Sequence, residues 1–265
     1  MRKVSVITVC YNAEIDLGKT IESVLKQTYN NFEYIVIDGG SIDNSVELLE
    51  KSKIKFVLKG IPFTYISEKD RGTYDAMNKG VNIAIGEWIN YMNAGDCFYS
   101  DTTLEDFFSS DISDETGVCY GNTLQIYDFG CGISQPKDFK NNFVMPFIHQ
   151  SSFVRTELLK KYRFDLKFKI VADFDFFFRL KRDEIAFQYI PQTVSRYNGQ
   201  YGLSATNPLL LHKELLEIKG IAQRWYYGWV LVWTYLRYGW VQFFKDHIPC
   251  FLTNAWMKSK RKYIK

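Results

Sequence analysis

Three stretches carry acids in settings that suggest chemistry. In EWINYMNAGDCF, residues 87–98, an apolar run from Trp88 to Met92 stops at Asn93-Ala94-Gly95, and a single acid, Asp96, follows. A carboxylate at the end of a buried strand, beside a flexible glycine, suits a divalent cation. Mg2+ takes one or two protein acids and fills its shell with phosphate oxygens and water. Taken alone, Asp96 is equally a solvated loop acid. Asp38 closes another apolar run, FEYIVI at residues 32–37. An acid there can accept from a ring N–H or a ribose hydroxyl, or serve the DGGS turn. Asp173 and Asp175 sit among aromatics in VADFDFFF. On a helix they point about 200° apart, so at most one faces a given cleft. Apolar rings beside a carboxyl push its pKa up, which suits a general base. The plainer alternative is one capping acid and one solvated acid. His149-Gln150 closes a strand-like run, and a lone histidine is more often structural than catalytic.

Other chemistries lack their signatures. GxGxxG and GxxxxGK[ST] are absent, so neither a dinucleotide fingerprint nor a P-loop is supported. GxSxG is absent too, and no His/Cys cluster has zinc spacing.

The elements that must position these acids follow from periodicity. KVSVITV, residues 3–9, is short and β-branched, the pattern of a buried parallel strand. Asn12 is placed to cap the following helix, in which Ile15, Leu17, Ile21, Val24 and Leu25 recur at helical spacing. Residues 32–37 form a second strand, followed by a helix carrying Val46, Leu48 and Leu49 with Asp43 or Ser41 as its cap. A third strand falls within residues 54–67, a helix runs from about Thr73 to Ile85, and residues 87–92 form the next strand. Strand, loop and helix repeat three times, which predicts an α/β fold with a doubly wound, mostly parallel sheet. Ligands of such sheets sit outside the carboxyl ends of the strands. Asn12, Asp38, Asp70 and Asp96 all fall at those ends. Residues 147–154 read as a strand, a helix carries Phe174, Phe177, Phe178 and Leu180, and residues 185–190 form a last short strand. Residues 100–145 show no clear pattern.

The chain has 265 residues, 46% hydrophobic and 24% charged, enough apolar content for a substantial core. Its net charge of +3 is divided unevenly. From Lys219 onward there are nine Lys/Arg and one acid, Asp246, so the remainder carries about −5. An acidic body of this kind is not expected to bind nucleic acid. The five cysteines show no paired spacing, which predicts small buried side chains in a reducing compartment. The N-terminus enters a strand pattern directly, with no secretory signal.

Five motifs in order carry a family resemblance: SVITVCYN, VIDGGSIDNS, SEKDRGTYDAMNKG, NYMNAGD and FDLKFKIVADFDFFFRL. The stretch from residue 3 to 204 resembles glycosyltransferase family 2, inverting sugar transferases with the GT-A fold. NAGD with DRGTYDAMNKG upstream looks like the branch that builds bacterial O-antigen, capsule and colanic-acid repeats. The resemblance implies that Thr8, Cys10, Tyr11 and Asn12 line the nucleotide and that Asp38 holds its base, most often uracil. Asp70 and Arg71 would sit at the donor edge, with Asn78 and Asn93 also on the nucleotide-sugar side. Asp96 would coordinate Mn2+ or Mg2+ on the diphosphate, and Asp173 would be the catalytic base. His149 and Gln150 would lie on the acceptor side. Ala172, Asn93 and Gly95 stand where the family usually has acids. The implied reaction is a single in-line displacement that inverts the anomeric carbon.

The tail adds a partner. WYYGWVLVWTYL, residues 225–236, is uncharged, and Trp225, Trp229, Trp233 and Trp240 fall within about 80° of one helical face. Arg237, the glycines and the abundance of Tyr and Trp argue for an interfacial helix over a spanning one. With the basic KSKRKYIK end, residues 224–265 are expected to meet an anionic membrane surface. A helix packed on protein, or in a homodimer, is the alternative.

Together these expectations are a catalytic domain at 1–204 and a helical tail at 205–265, peripheral on the inner face of the bacterial plasma membrane. The donor would be UDP-Glc or UDP-Gal and the acceptor a lipid-linked saccharide, polyprenol-diphosphate GlcNAc. The competing readings are a sugar-1-phosphate nucleotidyltransferase, which normally has a Gly-rich basic loop where this chain has CYNAEID, and a non-catalytic nucleotide-binding scaffold.

Overall fold

The computed structural model describes residues 2–127, 130–136, 145–199, 206–220 and 227–236. The chain divides into two compact units. The first comprises residues 1–124 and 133–197, and the second residues 125–132 and 198–265.

The first unit opens with β1 (Val4–Cys10), α1 (Glu14–Leu25), β2 (Phe32–Asp38), α2 (Ser45–Leu58), β3 (Phe63–Ser67), α3 (Thr73–Ile83) and β4 (Trp88–Tyr91). These four strands are mutually parallel, in spatial order β3-β2-β1-β4. Every residue of β1 and β2 is buried, as a parallel strand covered on both faces requires. The register sets Cys10 beside Asp38 and Asp38 beside Ser67, so the carboxyl ends of β1, β2 and β3 are level. The sheet then turns antiparallel. β5 (Cys97–Phe98), α4 (Thr103–Phe108), β6 (Thr116–Tyr127), β7 (Gly130–Ser134), β8 (Ser152–Arg155), α5 (Thr156–Tyr162), α6 (Ala172–Arg182) and β9 (Ala186–Asn198) complete it, in the order β4-β8-β6-β9-β5.

Trp88, Tyr34, Phe56, Phe107 and Phe153 are fully buried, each worth about 1.5–3 kcal/mol of burial. A buried acid, Glu33, ties the sheet to the turn before β4. Glu33 Oε1 accepts from Ser5 Oγ at 2.5 Å, Ile85 N at 2.7 Å and Gly86 N at 3.1 Å. It thereby holds the turn that feeds β4, the strand that presents Asp96.

The doubly wound half is as the periodicity predicts, and three local expectations are corrected. The third strand, Phe63–Ser67, falls within the expected residues 54–67, while residues 54–58 belong to α2, whose outward face carries Ile54, Val57 and Leu58. His149–Ser151 is a 3-10 turn, and its strand starts at Ser152. The last strand runs for 13 residues, not six. Ala13, not Asn12, is the N-cap of α1, and Asp43 accepts from Glu14 N and Ser45 N at the starts of both helices.

Of the five cysteines, Cys10, Cys97, Cys119 and Cys131 are free; only Cys10 and Cys119 are buried, and Cys131 is exposed. Cys250 lies outside the described residues. In the second unit, Gly199 N donates to Ile126 O at 3.2 Å. α7 (Pro208–Ile218) follows, and residues 227–236 are helical. Of the membrane expectation at 224–265, residues 224–226 and 237–265 lie outside the described ones. Among the described residues no helix is long and apolar enough to cross a membrane.

Candidate functional site

The loop after β4 is tied down from α1. Asp96 N donates to Asn93 O at 2.9 Å, closing a tight turn in which Gly95 takes φ +96°. Thr20 of α1 reaches into that turn, accepting from Gly95 N at 3.0 Å and donating to Asp96 O at 2.7 Å. Gly95 N also contacts Asp16 O at 3.2 Å. The result is a fixed carboxylate. Asp96 is only 7% exposed, and its Oδ2 accepts from Gln150 Nε2 at 2.7 Å.

The 3-10 turn before β8 connects this loop to α6. Gln150 faces Asp96, while the neighbouring His149 faces Asp173 with Nδ1 to Oδ2 at 3.1 Å. The other ring nitrogen, Nε2, lies 3.3 Å from Asn93 Nδ2. Asp173 Oδ1 accepts from Phe174 N at 2.9 Å and from the Tyr74 hydroxyl at 3.0 Å. Asn93, Asp96, His149, Gln150 and Asp173 therefore form one connected cluster just beyond the carboxyl end of β4. Asp175 is not part of it, being paired with Arg179 at 2.8 Å.

A second group of side chains lies beyond β1 and β2. Asp38 is fully buried. Its Oδ2 accepts from Gly40 N at 3.1 Å, Ser41 N at 2.9 Å and Ser67 Oγ at 2.6 Å. Its Oδ1 accepts from Ser41 Oγ and from Cys10 Sγ. Asn12, at φ +48°, accepts from Ile42 N at 2.9 Å and donates from its own N to Ser41 Oγ at 2.7 Å. Tyr11 is 63% exposed. Gly39 has no side chain to fill the space beside it, and a Cβ there would stand 2.7 Å from Asp70 Oδ2 and 3.4 Å from the Tyr11 ring. Tyr11 and Asp70 thus converge on the bare backbone of Gly39. Arg71, largely exposed, pairs with Asp75 at 3.1 Å.

Three of the side chains expected to meet the ligand are engaged within the fold. The Thr8 side chain is buried, donating to Met92 O at 2.6 Å and accepting from Tyr34 OH at 2.9 Å, so it ties β1 to the end of β4. Asn78 clasps Phe164, Nδ2 to the carbonyl at 2.9 Å and Oδ1 to the N–H at 3.0 Å, so its amide holds the segment leading to α6. Asp38 engages both oxygens, with Gly40 and Ser41 of the following loop, Ser67 at the end of β3 and Cys10 at the end of β1. The sequence reading also passed over Thr20 and Tyr74. Tyr74 lies in the DRGTYDAMNKG stretch, two positions after Gly72, the cap of α3, and that spacing was the available signal.

The chain matches the profile of Glycosyl transferase family 2 over residues 5–187. It belongs to that family. A PGL/p-HBAD biosynthesis glycosyltransferase of Mycobacterium bovis is 30% identical over 220 residues, which span 80% of this chain and 82% of that protein. Two solved structures share the fold. The mannosyltransferase PcManGT from Pyrobaculum calidifontis, in complex with GDP-Man and Mn2+, has TM-score 0.64 at 18% identity. S. aureus TarS 1-349 in complex with UDP has TM-score 0.62 at 19% identity. The alignments cover 84% and 82% of this chain and 64% of each solved chain. This is a GT-A-like, nucleotide-sugar-dependent glycosyltransferase, which sets aside the nucleotidyltransferase reading.

The family implies a divalent metal. Among the described residues no three His, Cys, Asp or Glu side chains gather to hold one unaided. Yet two amide oxygens around Asp96, Asn93 Oδ1 and Gln150 Oε1, are buried without a partner. One carboxylate with unused oxygen acceptors nearby fits a cation that completes its shell with diphosphate oxygens and water. Asp96 is the residue that would hold it, and the bound ion would supply charge neutralisation on a leaving diphosphate.

The two family acids are held in opposite states. Burial drives the Asp96 carboxyl up to about 7, offset in part by the Gln150 N–H and by His149, with Asp16 adding to the rise. Burial also acts on Asp173, but the His149, Phe174 and Tyr74 donors outweigh it and hold the group below the usual carboxylate range. The expectation of a raised Asp173 is therefore reversed, because three donors, not aromatic rings, face its oxygens. Asp38 is likewise held low, with burial outweighed by the hydrogen bonds from Ser41 and Ser67.

Proposed function

We propose that this family-2 enzyme moves a hexose from a UDP-sugar, Glc or Gal, to a hydroxyl of a polyprenol-diphosphate-linked GlcNAc in bacterial surface-polysaccharide synthesis, with inversion. The observation that carries the proposal is the linked cluster of Asp96, Gln150, His149, Asn93 and Asp173. It places a candidate diphosphate–metal carboxylate and an anionic candidate base in one group. β2 lies two strands from β4, about 10 Å away at ordinary strand spacing, a span suited to a nucleoside diphosphate. In this reading the base packs on Tyr11 against Gly39, and Asp70 Oδ2 accepts its ring N–H in place of Asp38. Asp173 takes a proton from the acceptor hydroxyl, whose oxygen attacks the anomeric carbon as the nucleotide departs. No covalent enzyme intermediate forms.

UDP in the TarS complexes and GDP-Man with Mn2+ in PcManGT support a nucleotide diphosphate with a metal. The exposed face of the helix at 227–236 supports the membrane partner, since Trp229, Val232, Trp233 and Leu236 are all more than half exposed at i, i+3, i+4 and i+7 spacing. The tail then docks the catalytic domain, residues 1–204, on the inner leaflet, where a lipid-linked acceptor resides.

The test is sugar transfer from a panel of nucleotide sugars to the lipid-linked acceptor, with and without Mn2+. A thermal-shift series with UDP, GDP, dTDP and CMP runs beside it, because a ligand of the folded state raises its melting point. UDP binding with metal-stimulated transfer is expected. UDP binding without transfer from any donor would identify a non-catalytic scaffold instead.

A further inference from the structure

His149 is contacted at both ring nitrogens. A carboxylate only accepts, so Nδ1–H donates to Asp173 Oδ2 across 3.1 Å, while Nε2 lies 3.3 Å from Asn93 Nδ2. The same amide belongs to the turn that carries Asp96, fixed by Asn93 O, Thr20 and Asp16. A continuous chain of side chains thus runs from the Asp96 turn through Asn93 and the imidazole to the carboxylate on α6.

We propose that His149 is a positioning residue for sugar transfer: with Asn93 it aims Asp173 and fixes that carboxylate relative to the turn holding the donor diphosphate. The proposal rests on the transferase reading. The neighbours leave Asp173 little alternative orientation control. Its Oδ1 is taken by Tyr74 and Phe174 N, so among the described residues the imidazole is what meets Oδ2. One lone pair of Oδ2 remains for an acceptor hydroxyl. Misplacing a base by about 1 Å costs on the order of 100-fold in rate. Among the described residues the titratable groups facing this pair are Tyr74, from α3, and Asp96, from the loop after β4, on whose carboxyl His149 acts.

The experiment compares His149→Ala, His149→Asn and His149→Gln with wild type at saturating donor and Mn2+, reading kcat, donor KM and the pH profile of kcat. Asparagine returns a donor near the Nδ1 position. Glutamine reaches only toward Nε2. His149→Ala is expected to lower kcat about 100-fold with donor KM within about threefold. Its acid limb moves up in pH, because Asp173 has lost a donor that favours its anion. His149→Asn recovers to within about fivefold, and His149→Gln behaves like alanine. Should the alanine variant fail to fold, the asparagine–glutamine contrast decides. An acid limb that stays in place in His149→Gln, or equal kcat in the asparagine and glutamine variants, overturns the proposal. A wild-type enzyme that transfers no sugar would overturn the transferase reading itself, a distinct result.

Discussion

Replacing Asp96 by asparagine should make the metal-free protein more stable above neutral pH. Asp96 is almost wholly buried, and its carboxyl sits at about 7 in the folded chain. In the unfolded chain it titrates near the ordinary value of about 3.9. Between about pH 4 and 7 the unfolded state has released this proton while the folded state retains it. The folded state thus binds more protons, and stability falls as pH rises through that window. Three units at about 1.4 kcal/mol each amount to about 4 kcal/mol, present below pH 4 and gone above about 7. Asparagine keeps an oxygen for the Gln150 N–H at 2.7 Å and carries no charge to desolvate. Its new N–H2 group needs a partner, which reduces the gain by about 1 kcal/mol. Urea unfolding without metal should therefore show wild type and variant within about 1 kcal/mol of each other at pH 4, and Asp96→Asn about 3 kcal/mol more stable at pH 8. The same variant should lose Mn2+-dependent UDP binding. Equal stabilities at pH 8, or a less stable variant there, would refute the reasoning about the buried charge.

The other predictions test residues whose roles the geometry assigns. Asn78→Ala removes both hydrogen bonds to Phe164 and should cost about 2 kcal/mol, seen in urea unfolding, with UDP affinity unchanged. Tyr74→Phe removes the hydroxyl that meets Asp173 Oδ1 at 3.0 Å and Ile170 O at 2.7 Å, and should lower kcat about three- to tenfold while costing about 1 kcal/mol. Asp38→Ala orphans donors on Gly40, Ser41 and Ser67 and should cost about 3–5 kcal/mol. Because the folded Asp38 is held below its unfolded value, its contribution is present above about pH 4 and disappears as pH falls through the folded value. Asp38→Asn should accordingly flatten the acid side of the stability profile.

The parallel half of the sheet was legible because buried parallel strands are written as short β-branched runs, and each run here ends at a polar residue. That same rule located Asp38, Asp70 and Asp96. It gives position along a strand, however, and not the direction of a side chain. Thr8 lies two residues from the end of β1 and still points inward to Met92 O. Asn78 lies on the correct helix and faces Phe164. The end of α2 was illegible for a different reason: Ile54, Val57 and Leu58 face solvent, so apolar residues there do not mark a buried strand. β6 and β9 were missed or shortened because their burial changes from face to face along 12 and 13 residues, leaving no single period. The pKa order of Asp96 and Asp173 was beyond sequence altogether, since it depends on which distant donors reach each carboxylate. Gln150 supplies one donor to the first, whereas His149, Tyr74 and Phe174 supply three to the second.

The direct test of the central claim is Asp173→Asn in parallel binding and turnover assays. Calorimetry with UDP and Mn2+ should give an affinity within about threefold of wild type, while kcat for sugar transfer falls by 10²- to 10⁴-fold, the usual loss for a missing general base. Transfer persisting within tenfold of wild type would contradict the assignment of Asp173 as the base.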